Sequence, residues 1–129
     1  MSNQPKNTKT ILVIEDEPSL LEALHDKLKK EGFVVMQAKN GEEGLRIAFS
    51  NKPNLILLDI KMPIMDGVTM LEKLRKDEWG KTVPVFILTN SEESKNISDT
   101  MNQRVTKYLI KTNWKLQDIV EEIRLTLQV

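Results

Sequence analysis

Four short apolar runs in this 129-residue sequence each lead into groups able to do chemistry. Residues 11–14 run into Glu15, Asp16 and Glu17, residues 55–58 into Asp59, residues 85–88 into Thr89, and residues 108–110 into Lys111. Brought together, these side chains would form a crevice of carboxylates flanked by a hydroxyl and an ammonium group. Two like charges ~4 Å apart repel by on the order of 4 kcal/mol at an effective dielectric near 20. Such a cluster calls for a divalent cation or for raised pKa values. Oxygen ligands without histidine or cysteine favour a hard ion. A few carboxylates with open positions favour Mg²⁺, which keeps waters and accepts phosphate oxygens. Toward a phosphoryl group a carboxylate can act as nucleophile, while a metal and a lysine neutralise charge on the transferred oxygens. On this reading Asp59 is the candidate nucleophile, Asp16 and Glu15 hold the metal, and Lys111 is the counter-charge. Singly, each residue has a plainer reading. Acids before Pro18 complement a helix N-terminus, Asp59 ends a strand at a turn, and Lys111 is a solvated lysine. The joint pattern is what favours chemistry.

Those groups need elements to hold them. Five apolar, β-rich runs at 11–14, 34–36, 55–58, 85–88 and 108–110 read as strands. Their continuity predicts burial on both faces, as in parallel strands covered by helices. Between them apolar residues recur at helical spacing: Leu20, Leu21, Leu24 and Leu28; Leu45, Ala48 and Phe49; Val68, Leu71 and Leu74; Ile97 and Met101; and Leu116, Ile119, Val120, Ile123 and Leu127. Pro18 suits a first helical position, Gly32 a helix end, and Asn90 or Ser91 an N-cap. The expected fold is α/β: a doubly wound, five-stranded parallel sheet with five helices and the flavodoxin-like strand order 2-1-3-4-5. In such a sheet ligands bind beyond the carboxyl ends of the strands, where the strand order reverses.

Length and composition bound the rest. The chain has room for one domain, expected over residues 10–129 after a loose polar tail at 1–9. It contains no cysteine, which excludes disulfides, thiolate metal sites and a cysteine nucleophile. Nineteen basic residues balance nineteen acidic ones, so the field that draws a protein to nucleic acid or to an anionic membrane is missing. No apolar run approaches the ~20 residues of a membrane span. A cytoplasmic location is expected, with no direct partner in nucleic acid or membrane.

With these residues in place, the sequence resembles the receiver domain of two-component response regulators from Thr10 to the C-terminus. The segment ILVIEDEP is similar to the family's first strand with its acidic pair. PNLILLDIKMPIMDG is similar to its phosphoacceptor segment, VPVFILTN to the strand ending in a switch hydroxyl, and KYLIK to the strand bearing an aromatic residue and a lysine. The resemblance implies that Asp59 accepts a phosphoryl group from a histidine kinase or a phosphotransfer protein. Asp16, Asp59 and the backbone carbonyl of Lys61 would bind Mg²⁺, with Glu15 acting directly or through water. Lys111 would pair with Asp59 or its phosphoryl group, Thr89 would hydrogen-bond a phosphoryl oxygen, and Tyr108 would turn inward behind Thr89. Output would run through the surface of the fourth predicted helix, the fifth strand and the fifth predicted helix. The chain would be a stand-alone signalling receiver and not an enzyme, catalysing only its own phosphorylation and dephosphorylation.

Some positions depart from the family pattern. Thr112 follows Lys111 where proline is usual, Asn90 follows Thr89 where a small residue is common, Arg104 and Val105 replace a Gly-Ala pair, and Glu15 stands for Asp. The missing proline and Asn90 motivate an alternative, a receiver-fold interaction module that is never phosphorylated. A Mg²⁺-dependent phosphatase is disfavoured by Lys61, where a second acid would be expected. His25 reads as a surface or boundary residue, Trp79 as a loop anchor and Trp114 as a residue packing or capping the last helix. Gly41 and Gly44 lack the context of a phosphate loop.

Overall fold

Pro18 opens the first helix and Gly32, with φ of +97°, follows its end, as their backbone preferences dictate. The computed structural model describes residues 8–90 and 100–129. Within them run β1 (Thr10–Ile14), α1 (Pro18–Lys30), β2 (Val34–Ala38), α2 (Gly41–Asn51), β3 (Leu55–Asp59), α3 (Gly67–Arg75), β4 (Val85–Thr89), β5 (Lys107–Ile110) and α4 (Leu116–Leu127). Short 3₁₀ turns cover Met101–Gln103 and Lys111–Asn113. The helix expected around Ile97 and the cap expected at Ser91 lie outside the described residues, as does most of the expected N-terminal tail. Lys9 already belongs to the fold, because its carbonyl accepts the N–H of Val34.

The five strands form one parallel sheet in the order β2-β1-β3-β4-β5. Strand alternation sorts the apolar side chains onto two faces. Ile11, Val13, Leu57, Leu88 and Leu109 pack with α1 and α4, whereas Leu12, Ile14, Leu58 and Ile87 pack with α2 and α3. Two sequence expectations need correction. Burial on both faces holds for β1, β3 and β4 but fails for β2 and β5, where Val34 is 46% exposed. These two are the edge strands, which a neighbour covers on one side only. Phe49, counted among the apolar residues of α2, is 38% exposed and stands outside the core.

The lower end of the sheet is tied by Arg75 at the end of α3. Its guanidinium donates to the carbonyls of Gln103, Gly80, Val83 and Arg104 at 2.7–2.9 Å. Arg104 itself adopts φ of +57°, the left-handed region that favours the glycine expected there. One side chain thus holds the approach to β4 and the approach to β5 together.

Candidate functional site

The order reversal falls between β1 and β3, and the chemical groups sit at that end of the sheet. Glu15 follows β1, Asp59 ends β3, and Lys111 follows β5. The alternation that sends Val13, Leu57 and Leu109 toward α1 and α4 sends Glu15, Asp59 and Lys111 to the same side one step later. Their contacts bear this out. The Lys111 ammonium lies 2.7 Å from Glu15 Oε1 and 3.4 Å from Asp59 Oδ2. Asp59 Oδ1 accepts the N–H of Ile60 at 2.8 Å, and Glu15 Oε2 accepts the N–H of Glu17 at 3.1 Å.

Burial makes this arrangement electrostatically tense. Glu15 is wholly buried and Asp59 only 4% exposed, so two carboxylates share one cation away from water. Burial and the neighbouring charge of Glu15 push Asp59 from its ordinary 3.8 up to about 7, against the pull of Lys111. Burial draws Lys111 down, but both carboxylates outweigh it and raise the ammonium above its usual range. Oxygens of Glu15, exposed Asp16 and buried Asp59 all lie within 4.8 Å of one another. With every group ionised, three carboxylates against one ammonium leave two net negative charges. Glu15 Oε1 is buried against the Lys111 ammonium, which also serves Asp59. A hard dication fits this donor set in charge and in ligand type.

The structure does not bring every expected residue to this centre. Thr89 is buried at the end of β4, whose Leu88 is in register with Asp59. Lys61 is exposed two residues beyond Asp59. Tyr108 stands on the opposite face of the sheet from Lys111 and bonds to Thr100, at 2.7 Å between hydroxyls. Thr112 is exposed in the 3₁₀ turn that Lys111 opens, and this path brings the lysine to both carboxylates. Asn90 is exposed. Trp114 packs on the α1 and α4 side beside Lys111, Trp79 packs against the other core, and His25 contacts Asp26.

Two residues are missed by reading strand ends alone. Gly67 opens α3 directly under the site: a Cβ there would collide with the Asp59 carbonyl oxygen, and Asp66 caps the helix by accepting the Thr69 N–H at 2.8 Å. The Asp66-Gly67 pair closes the segment PNLILLDIKMPIMDG that carries the resemblance, but nothing in that segment discloses the backbone contact. Gly67→Ala is expected to destabilise the fold by about 1–3 kcal/mol, because backbone meets backbone and neither can rotate away. A urea denaturation midpoint equal to that of the parent protein would contradict the close approach. Thr100 gave no sequence signal, since its partner is eight residues away across a turn and a strand.

Comparisons with known proteins agree with this fold. The family model described as response regulator receiver domain matches residues 11–124. Protein PilH of Pseudomonas aeruginosa is 33% identical over 101 residues, covering 78% of this chain and 84% of that protein. The DNA-binding dual master transcriptional regulator RpaA of Synechocystis is 30% identical over 118 residues, covering 92% of this chain but 48% of RpaA. Several curated relatives of this kind are matched over only about half their length or less. Among solved structures, a CheY-like response regulator receiver domain protein from Methanospirillum hungatei superposes with a TM-score of 0.87 at 29% identity, covering 95% of each chain. Fold, strand order and matched segment coincide, and the chain belongs to the response regulator receiver domain family.

Proposed function

We propose that this chain is a phosphorylation-controlled switch that takes a phosphoryl group onto Asp59 from a histidine kinase or a phosphotransfer protein. The observation that carries the reading is the Lys111 ammonium held between two buried carboxylates at the carboxyl ends of β1, β3 and β5. In the transfer an Asp59 carboxylate oxygen forms the new bond to phosphorus as the bond to the donor nitrogen breaks, and the leaving imidazole keeps that electron pair. Lys111 stays within reach of Asp59 and answers the negative charge carried by the incoming phosphoryl oxygens. Glu15 holds Lys111 in place from the other side. The Ile60 N–H fixes one Asp59 oxygen, so the carboxylate is presented in a single orientation.

Glu15, Asp16 and Asp59, with the carbonyl of Lys61, would hold Mg²⁺, which supplies charge neutralisation to phosphoryl oxygens when bound. Thr89 would donate its hydroxyl to a phosphoryl oxygen, and Tyr108 would follow it. The contacts made only with the phosphoryl group shift population toward the active arrangement. Hydrolysis at the same site returns the carboxylate, so turnover is confined to the protein's own modification. The switched surface would then pass the signal to a downstream protein by contact.

The test is intact-mass measurement after incubation with Mg²⁺ and acetyl phosphate. Addition of one phosphoryl group is expected, with none on Asp59→Asn. A receiver-fold interaction module that is never phosphorylated would give no addition in either protein.

A further inference from the structure

Tyr108 is the sole tyrosine of the chain, and the structure gives its hydroxyl a partner 2.7 Å away in Thr100. Thr100 is wholly buried and directly precedes the 3₁₀ turn Met101–Gln103, without a side-chain hydrogen bond to it. A hydroxyl in the interior is held where it can hydrogen-bond, because leaving it without a partner forfeits its hydration with nothing in return. Tyr108 needs such a partner for a second reason. It lies on edge strand β5, in register with Ile87 on β4, and among the described residues no strand flanks it on the outer side. Its ring packs partly buried against the core shared with α2 and α3. Nothing in the backbone pairing selects one ring rotamer over another.

Register also relates Tyr108 to the site. Ile87 and Thr89 alternate onto one face of β4, and Tyr108 and Ile110 onto the same face of β5, so the aromatic ring and the Thr89 side chain are diagonal neighbours. The Thr100 contact coexists with the state in which Lys111 grips Glu15 and Asp59. We propose that Thr100 is a positioning residue whose hydroxyl latches Tyr108 in the ring orientation of this ion-paired state, and that the latch must open for the ring to move toward Thr89. The proposal rests on the phosphoacceptor reading only for the name of the equilibrium it biases. One ordinary hydrogen bond is worth on the order of a fivefold change in such a population.

Because the chain has a single tyrosine, 3-fluorotyrosine labelling gives one ¹⁹F resonance, that of position 108. Thr100→Val keeps the shape and loses the hydroxyl, whereas Thr100→Ser keeps the hydroxyl. In protein without phosphodonor, Thr100→Val is expected to move or broaden the resonance, and Thr100→Ser to leave it near the parent position. Thr100→Ala carries the same expectation as valine and replaces it if valine does not fold. A resonance unmoved in the valine or alanine variant overturns the latch, and so does an equal displacement in the serine variant. Where phosphorylation occurs, loss of the latch should also raise the initial rate of acetyl phosphate labelling about fivefold. The ¹⁹F comparison needs no phosphorylation, so failure of the latch and failure of the phosphoacceptor reading are read separately.

Discussion

Changing Asp59 to asparagine is expected to make the protein more stable at pH 8 in metal-free buffer while removing its capacity to take a phosphoryl group. The first half follows from burial. Asp59 titrates at about 7 in the folded chain against an ordinary 3.8, because burial and Glu15 both oppose its charge. Between roughly pH 4 and pH 7 the folded state therefore binds more protons than the unfolded state, and stability falls as pH rises through that window. Above it the ionised carboxylate remains a full burden. Asparagine keeps the shape and cannot ionise, so the slope should flatten and the gain at pH 8 should be on the order of 2 kcal/mol. At pH 4 the two proteins should have nearly equal denaturation midpoints. The second half follows from electron supply, since an amide oxygen does not offer the carboxylate's nucleophilic charge. With Asp59 among its proposed ligands, Mg²⁺ should stabilise the parent protein and leave the asparagine variant nearly unaffected, as expected of an ion held only in the folded state. If the variant were the less stable of the two at pH 8, the burden assigned to Asp59 would be refuted. A stable variant that still gained a phosphoryl group would move the acceptor elsewhere.

The same burial explains what the sequence could and could not disclose. Asp59 and Glu15 were readable because each follows a continuous apolar strand, and the continuity itself signals that the strand's end is enclosed. Lys111 was readable for the same reason, although β5 is an edge strand and only Leu109 within it is fully buried. What strand patterns do not encode is the partition of contacts among the three. Lys111 sits closer to Glu15 than to Asp59, a consequence of the extra methylene that lets Glu15 reach across. Gly67 and Arg75 act through the backbone of other segments, and such contacts leave no periodic trace. The two-sided burial expected of β2 and β5 fails, although the expected order 2-1-3-4-5 already puts them at the edges, because a strand's apolar content does not say what packs on its faces. Tertiary placement decided that.

Lys111→Met is expected to destabilise the fold by about 3–5 kcal/mol at pH 8, the range for removing one partner of a buried ion pair. Methionine fills a similar volume, so the loss is electrostatic and not a cavity. The ammonium now answers Glu15, which has no exposed surface, and Asp59, which has almost none. Its folded pKa is raised above the ordinary 10.5 by those two carboxylates, so its contribution is complete at pH 8 and fades only as pH climbs through the folded value. Without it two buried negative charges face each other. In metal-free buffer protonation relieves them, and the destabilisation should shrink as pH falls toward 5. Two further variants separate this from a packing defect. Glu15→Gln in the Lys111→Met background should recover most of the lost stability, because one buried charge is removed along with its repulsion, and the two substitutions should be far from additive. Lys111→Arg should hold much of the stability, since the charge is kept, while labelling at Asp59 falls because a planar guanidinium does not place its charge as an ammonium does. A loss independent of pH, undiminished by Glu15→Gln, would assign Lys111 to packing beside Trp114 instead of to the charge of the site.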